Sequence, residues 1–291
     1  MANRWWVYQR ERFPVVLHGV IIAVFSLSAT AYSSRVRGAA FPALPNVIVA
    51  FGSALLFFLQ LRILDEFKDY DEDVAYRPYR AVPRGVVSLR ELGRVGVAAA
   101  AIQAALAAWL DSRLLILLAI VWAYMALMRA EFFVPRWLKA HPLSYLGSHM
   151  VIVPLIAGFA TACDWLAASA PPPPAVAWFL LVSFFNGLVI EIGRKIRVPE
   201  DEERGVPTYS AAWGVPSAVA AWLLVVAATA FCAVLAPRVG WALVVVPACA
   251  LMAILGWRFV NRPRSQSAKL IEQVSGGWAL LVYLLFGLPR T

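Results

Sequence analysis

Nine stretches of the sequence are apolar and about as long as a helix that crosses a lipid bilayer. A spanning helix needs about 20 mainly apolar residues, and only 15% of this chain is charged, against about a quarter in soluble domains. Backbone groups inside a bilayer must bond within their own segment, which favours helices. The sequence therefore predicts an all-α, multi-pass membrane bundle, with spans near residues 14–32, 45–66, 89–109, 112–130, 143–163, 175–192, 212–236, 239–257 and 274–289.

The basic residues support this number of spans because they gather in alternate loops. All but five of the 26 Lys and Arg residues lie in the N-terminal segment or beside the loops after the second, fourth, sixth and eighth spans. The exceptions are Arg35, Arg37, Arg113, Arg238 and Arg290. The positive-inside rule then places the N-terminus and these loops in the cytoplasm. We expect residues 1–291 to form one integral-membrane domain of a bacterial plasma membrane.

The net charge of +9 does not indicate nucleic-acid binding, because the basic residues are spread over short loops. A more informative cluster is the acidic block at residues 65–73, where the second span meets the membrane boundary. In a continuous helix, Glu66, Asp69 and Asp73 would share one face. Negative charge is unfavourable at a helix C-terminus, and a bound Mg²⁺ would remove this objection and also bind phosphate. A solvated acidic surface is the alternative.

A second charged block, residues 191–210, follows the sixth span as the first follows the second. The two blocks end similarly, with residues 85–88 reading GVVS and residues 205–208 reading GVPT. This similarity predicts two pseudo-repeated halves around a central cavity. Carboxylates with Mg²⁺, together with Arg and Lys, neutralise a diphosphate, and the aromatic-rich apolar helices suit a hydrocarbon chain. The two features together indicate an isoprenyl diphosphate.

These residues resemble the UbiA superfamily of intramembrane prenyltransferases. The first family motif, N-D-x-x-D-x-x-x-D, is similar to the sequence from Asp65 to Asp73, and an Arg-Pro-x-Pro-x-Gly turn is similar to residues 77–85. The resemblance implies nine helices, Mg²⁺ as cofactor, and catalytic roles for Glu66, Asp69, Asp73 and Lys195. The implied metal ligands are Asp65, Glu66, Asp69, Asp73 and Glu191.

The second family motif, D-x-x-x-D, is altered here. Glu191 takes its first acidic position and Lys195 its second, while residues 205–208 match a downstream Gly-x-x-Thr. A lysine does not bind metal as a carboxylate does, so we expect Lys195 to bind diphosphate directly as a point charge. A simple Glu191–Lys195 ion pair is the alternative. The implied diphosphate-binding residues are Arg77, Arg80, Arg84, Arg129, Arg194, Lys195 and Arg197.

Arg129 is included because Tyr124 and Arg129 match the ends of a family Tyr-x-x-x-Lys-Arg sequence, although Met128 replaces its lysine. Glu131 is equally well interpreted as a solvated loop charge. Histidine and asparagine side chains within the spans, such as His149 and Asn186, are interpreted as hydrogen-bond partners in helix packing. His149 is also a candidate for lining the cavity.

The resemblance implies Mg²⁺-dependent transfer of an isoprenyl group from a prenyl diphosphate to a small aromatic or lipophilic acceptor in the membrane. The predicted partners are these two substrates and the lipid bilayer, without nucleic acid. Two alternatives stay open. One is a UbiA-type terpene cyclase that acts without an acceptor, and the other is a non-catalytic lipid or ion carrier that uses the carboxylates as a pathway.

Overall fold

The computed structural model describes residues 3–39, 41–237 and 242–288, and within these ranges the regular structure is helical, with no strand. Eight helices are long and apolar enough to cross a membrane, and Leu114–Arg129 is a shorter apolar helix of 16 residues. This confirms the predicted all-α membrane bundle and its approximate number of spans. The helices are α1 Arg4–Arg12, α2 Val15–Val36, α3 Leu44–Lys68, α4 Tyr70–Tyr76, α5 Leu89–Leu110, α6 Leu114–Arg129, α7 Pro135–Ala140, α8 Pro142–Met150, α9 Ile152–Trp165, α10 Val176–Gly193, α11 Tyr209–Trp213, α12 Val215–Leu235, α13 Ala242–Asn261 and α14 Ser265–Gly287.

Two spans differ from the prediction, one by a break and one at its start. The fifth consists of α8 and α9, which meet at Val151. The last begins at Ser265 and not near residue 274, because α14 includes the charged residues Lys269 and Glu272 before its apolar part. Hydropathy locates the membrane boundary, whereas a helix continues past it wherever its side chains are solvated. The start predicted for the eighth span, residue 239, lies outside the described residues.

The bundle closes around α2, α9 and α10. Helix α9 contacts α2, α3, α6 and α10, and α10 contacts α12 and α14. Aromatic rings join these elements: Phe179 of α10 lies 6.2 Å from Tyr32 and 5.5 Å from Phe286, measured between ring centroids. Helices α3 and α10 each contact both α2 and α9. Because short connections make successive spans antiparallel, α3 and α10 run in the same direction and end at the same side of the bundle.

The two charged blocks also end with the same local structure. Gly85 (φ +73°) and Gly205 (φ +76°) each adopt a left-handed backbone, which glycine tolerates best. Three residues later, Ser88 accepts a hydrogen bond from the Glu91 N–H and caps α5, and Thr208 accepts one from the Ala211 N–H and caps α11. The shared geometry supports the predicted relation between the two halves.

Candidate active site

The ends of α3 and α10 face each other through charged side chains. Asp65 of α3 lies 3.5 Å from Arg62, one turn earlier, and is within electrostatic range of Arg194 and Glu191 from the second motif. The side chains of Asp65 and Arg194 are 52% and 50% exposed, although protein atoms surround both densely. Both side chains are open to the space between the two motifs, which we call the hollow, and the structure brings the two motifs together at this space.

The loops that follow the two motifs are also in contact. The Tyr79 hydroxyl donates a hydrogen bond of 2.9 Å to the Glu203 carboxylate. The ring of Tyr76 lies directly on Gly205, where an added Cβ would be 2.5 Å from Cδ2 of the ring. Because no side chain fits in this gap, glycine at position 205 allows the close approach of the two loops.

Asp69 is the carboxylate least neutralised by its neighbours. It ends α3, and within the described part of the chain no hydrogen bond or ion pair to its side chain is found. Burial raises the pKa of Asp69, and the negative charges of Asp65, Asp73 and Glu72 raise it further, against the opposing effect of Lys68. Asp65 and Asp69, four residues apart, therefore form a pair of crowded carboxylates to which a cation is the natural complement.

The other two carboxylates of the first motif have cationic partners already. The helix ends at Asp69, so Glu66, Asp69 and Asp73 do not share one continuous helical face. Glu66 is buried in an ion pair with Arg12 of α1. Asp73, at the first turn of α4, lies 2.9 Å from Arg77 Nε and accepts bonds of 2.8 and 2.9 Å from Arg80 Nη1. Asp65 and Asp69 are thus better placed than Glu66 and Asp73 to hold a metal ion.

The second motif carries net positive charge. Glu191 pairs with both Arg194 and Lys195, the latter at 3.0 Å. Burial disfavours the charge of Arg194, but Glu191 outweighs it and raises the pKa of the guanidinium. Lys195 Nζ lies 5.6 Å from the centre of the Tyr209 ring, and the Lys195 carbonyl accepts a 3.1 Å bond from the Tyr209 N–H. The predicted Glu191–Lys195 pair is therefore present as part of a triad with one excess positive charge.

Three of the other predicted basic residues make contacts of their own. Arg84 pairs with Glu11 of α1 at 2.9 Å, and Arg197 pairs with Glu203 at 3.2 Å. Arg129 is exposed, and its guanidinium carbon lies 6.0 Å from the centre of the Phe67 ring. These contacts hold loops together, and the Arg197–Glu203 pair adjoins the Tyr79–Glu203 bond between the two loops.

A buried polar cluster next to the first motif was not predicted. Lys68 Nζ lies 3.0 Å from Glu131 Oε1, donates a 2.6 Å bond to the Tyr145 hydroxyl and is 3.5 Å from His149 Nε2. Glu131 is buried and not a solvated loop charge, and it begins three residues with positive φ, Glu131–Phe133. Arg12 and Arg62 were likewise missed, although the i,i+3 spacing of Arg62 and Asp65 could have indicated their pairing.

The described cavities do not lie between the motifs. One, of about 640 Å³, lies between α1, α3 and α5, and a second, of about 390 Å³, lies beside Arg194, Arg197 and the segment after them. The exposure of Asp65 and Arg194 supports the predicted central cavity. The size of this cavity stays a prediction.

The carboxylates of the site suit Mg²⁺ only if water and substrate phosphate supply further oxygen ligands. Over residues 3–39, 41–237 and 242–288, no three His, Cys, Asp or Glu side chains are close enough to hold a metal ion by themselves. Asp65 and Asp69 supply hard oxygen donors without a strong cationic partner. Mg²⁺ commonly binds one or two carboxylates, water and substrate phosphate, and this donor set suits that mode.

The fold and the site define a class: polytopic membrane proteins with carboxylates and basic residues gathered at one end of a helical bundle. The chain belongs to the UbiA prenyltransferase family, whose sequence model matches residues 20–281. It is therefore an intramembrane prenyltransferase. The membership in this family that its motifs predicted is confirmed. A comparison with curated proteins finds no match.

Solved structures of other membrane proteins share the fold. A UbiA homologue from Aeropyrum pernix K1 is 20% identical, with a TM-score of 0.65 over 91% of this chain and 95% of that one. A digeranylgeranylglyceryl phosphate synthase is 14% identical, with a TM-score of 0.64 over 98% of both chains. A UbiA homologue from Archaeoglobus fulgidus bound to DMAPP and Mg²⁺ is 15% identical, with a TM-score of 0.58 over 95% of this chain and 98% of that one.

Proposed function

We propose that this protein uses Mg²⁺ to transfer an isoprenyl group from a prenyl diphosphate to a small aromatic or lipophilic acceptor within the membrane. The observation that carries the proposal is the placement of two crowded carboxylates, Asp65 and Asp69, opposite the cationic triad of Glu191, Arg194 and Lys195. Negative and positive groups on opposite sides of one hollow suit a metal-bound diphosphate. The homologue bound to DMAPP and Mg²⁺ supports the same ligand class.

Each side of the site has a distinct part in the reaction. Asp65 and Asp69 would hold Mg²⁺, which when bound supplies Lewis-acid stabilisation of negative charge on the diphosphate. Arg194 and Lys195 bind and orient the diphosphate from the opposite side. The carbon–oxygen bond breaks with its electron pair leaving on the diphosphate, the allylic carbon bonds to the acceptor, and the acceptor loses a proton. Positive groups fixed in advance stabilise the leaving charge without reorganising.

Lys195 takes over part of the role of a second metal site in this proposal. Two cations, Arg194 and Lys195, neutralise Glu191, so its carboxylate attracts Mg²⁺ weakly. A diphosphate that enters the hollow competes with Glu191 for Lys195 and Arg194, and the excess positive charge of the triad favours this exchange. The site lies on the cytoplasmic side, where the basic loops are placed by the positive-inside rule.

The decisive experiment measures release of inorganic diphosphate by the purified, reconstituted protein. Prenyl diphosphates of increasing length are supplied with Mg²⁺, with and without a lipid extract as a source of acceptors, and products are identified by mass spectrometry. Extract-dependent prenylated products support the transferase. Diphosphate release with a hydrocarbon or alcohol product and no need for extract would assign the cyclase, and binding without release at every chain length would assign the carrier.

A further inference from the structure

Lys68 is a basic residue inside the acidic block, and its charge opposes the metal role proposed for the neighbouring carboxylates. Asp69 follows it in sequence, and Asp65 lies three residues before it, a spacing at which helical side chains are neighbours. The ammonium group is within electrostatic range of both carboxylates. An ion pair with either one would neutralise an oxygen donor that Mg²⁺ needs. Yet in the part of the chain that the structure describes, Lys68 pairs with neither of them.

The ammonium group of Lys68 is instead held by three acceptors from other elements. Its Nζ atom lies 3.0 Å from Glu131 Oε1, donates a 2.6 Å bond to the Tyr145 hydroxyl and is 3.5 Å from His149 Nε2. The Nδ1 atom of His149 donates to the Tyr145 carbonyl at 2.9 Å, which leaves Nε2 as an acceptor. Lysine has three N–H donors, so these residues, which we call the lysine cluster, provide an acceptor for each.

Stability alone does not explain the lysine cluster. Glu131, Phe132 and Phe133 have φ of +45°, +52° and +62°, a left-handed backbone that is unfavourable for residues other than glycine. The second carboxylate oxygen of Glu131 is buried and has no hydrogen-bond partner among the described residues. A buried ion pair is by itself weak evidence for stability, and strained residues cluster at functional sites. The unfavourable placement of Glu131 therefore indicates a role at the adjacent site.

We propose that Glu131 is a positioning residue, which holds Lys68 away from Asp65 and Asp69 and so leaves these two carboxylates free for Mg²⁺. This inference rests on the proposed function, in which Asp65 and Asp69 hold the metal. Glu131 does not contact the metal and acts only through Lys68. Without the negative charge of Glu131, Lys68 would pair with the carboxylates of the first motif, and Mg²⁺ would have to displace it.

The test measures Mg²⁺ binding directly, by isothermal titration calorimetry of the full-length protein in detergent with inorganic diphosphate present. Glu131→Gln should raise the Kd for Mg²⁺ about tenfold, since a unit charge a few ångströms from the carboxylates alters cation binding by an energy of this order. Removal of Lys68 as well should reverse the effect, so the double variant Lys68→Met/Glu131→Gln should return the Kd to that of the wild type. General damage to the fold would not be reversed in this way.

A matched control breaks an equally buried ion pair at the opposite end of the bundle. Arg37 and Asp164 lie 2.9 Å apart with side chains that are 18% and 2% exposed, against 17% and 11% for Lys68 and Glu131. Asp164→Asn should lower the melting temperature without changing the affinity for Mg²⁺. Tyr145→Phe is a milder second test, should Glu131→Gln fold poorly. It removes one bond to Lys68, keeps the ring, and should raise the Kd for Mg²⁺ by less than Glu131→Gln does.

The outcomes separate this inference from the proposed function. A wild type that binds no Mg²⁺ in the presence of diphosphate overturns both. A wild type that binds Mg²⁺, with an unchanged Kd in Glu131→Gln and Tyr145→Phe, overturns only the role of Glu131. A weakened Glu131→Gln that is not restored in the double variant has the same meaning. Weaker diphosphate binding by the double variant would make Lys68 a ligand of the diphosphate and would also overturn the inference.

Discussion

At the scale of single residues, the neighbours of each carboxylate decide its role. Glu66 and Asp73 lie in the same acidic block as Asp65 and Asp69, yet each is neutralised by arginine. Asp69 is crowded by negative charge, and this crowding costs stability in the absence of a cation. Residues at functional sites often carry such a cost because the ligand relieves it.

Asp69→Asn should lower the rate of Mg²⁺-dependent diphosphate release about a hundredfold or more. Removing one preorganised group that stabilises charge in a transition state typically has an effect of about this size. The change removes a charge that the metal needs and leaves the shape of the side chain. Asp71→Asn is the matched control, because Asp71 is exposed on the adjacent α4, and its activity should stay near that of the wild type. Equal loss in both variants would contradict a specific role for Asp69.

The same variant should raise thermal stability when no divalent ion is present. Burial and nearby carboxylates raise the pKa of Asp69, so the folded state retains this proton to a higher pH than the unfolded chain does. Its contribution to stability therefore falls as pH rises from the unfolded pKa through the folded pKa. The melting temperature of Asp69→Asn in EDTA should exceed that of the wild type at pH 7, with the gap closing in acid. A lower melting temperature at pH 7 would show that Asp69 is stabilised by an unseen partner.

Lys195→Gln should raise the KM for prenyl diphosphate about tenfold or more, since bonds to charged groups contribute about 1.5–3 kcal/mol. Lys139→Gln removes an exposed lysine on the same side of the bundle and should leave KM unchanged. Lys195→Asp restores the acidic pair of the family motif and should tighten Mg²⁺ binding in a titration with inorganic diphosphate. Unchanged Mg²⁺ affinity in Lys195→Asp would mean that position 195 does not face the metal site.

At the scale of elements, the two loops after the motifs act as one unit. Gly205 lies under the Tyr76 ring, and Tyr79 bonds to Glu203. The hydroxyl caps at Ser88 and Thr208 then start α5 and α11 from equivalent turns. Contact between the loops fixes the ends of α3 and α10 relative to each other, which sets the width of the hollow between Asp65 and Arg194.

Gly205→Ala should destabilise the protein by more than the roughly 1–2 kcal/mol that a left-handed backbone costs an L-residue. The added Cβ also meets the Tyr76 ring. Gly276→Ala is the matched control: it lies within α14 with no atom within 4 Å of an added Cβ, and it should stabilise the helix by about 0.5–1 kcal/mol. Thermal melting distinguishes the two variants, and an unchanged melting temperature for Gly205→Ala would contradict the loop contact.

At the scale of the whole molecule, two observations place both motifs on the same side of the membrane. They are the alternation of basic and neutral loops and the antiparallel direction of successive spans. Helices α3 and α10 are the second and sixth spans, so both end on the side that carries the basic loops. The central contacts of α9 with α2, α3, α6 and α10 join the two halves into one bundle.

This topology predicts one-sided chemical labelling. Ala75→Cys on α4 and Ala168→Cys after α9 both place a thiol at an exposed position, at opposite ends of the bundle. A membrane-impermeant maleimide applied to intact cells should label Ala168→Cys at once and Ala75→Cys only after permeabilisation. The native Cys163 and Cys232 are buried, and the half-buried Cys249 is replaced by alanine in both variants to keep the background low. The reverse labelling pattern would place the motifs outside the cell.

The amino-acid sequence determined the spans and the order of the motifs. A spanning segment satisfies its backbone within itself, so apolar length located the spanning helices apart from the charged start of α14, and local turn chemistry at Gly85 and Gly205 was visible in the sequence. It did not determine where the acidic helix breaks. The helix ends at Asp69, and a new one begins with Asp71, Glu72 and Asp73 in its first turn, where negative charge is favourable.

Only the tertiary structure decided which charges neutralise one another. Arg12 and Glu66 are 54 residues apart, and Glu11 and Arg84 are 73 apart, so no spacing rule connects them. Ion pairing depends on distance and burial in space, and these follow from how whole helices pack. For that reason the sequence identified the chemical groups of the site, whereas the fold showed that Glu66 and Asp73 are paired with arginines and led us to propose Asp65 and Asp69 for a metal ion.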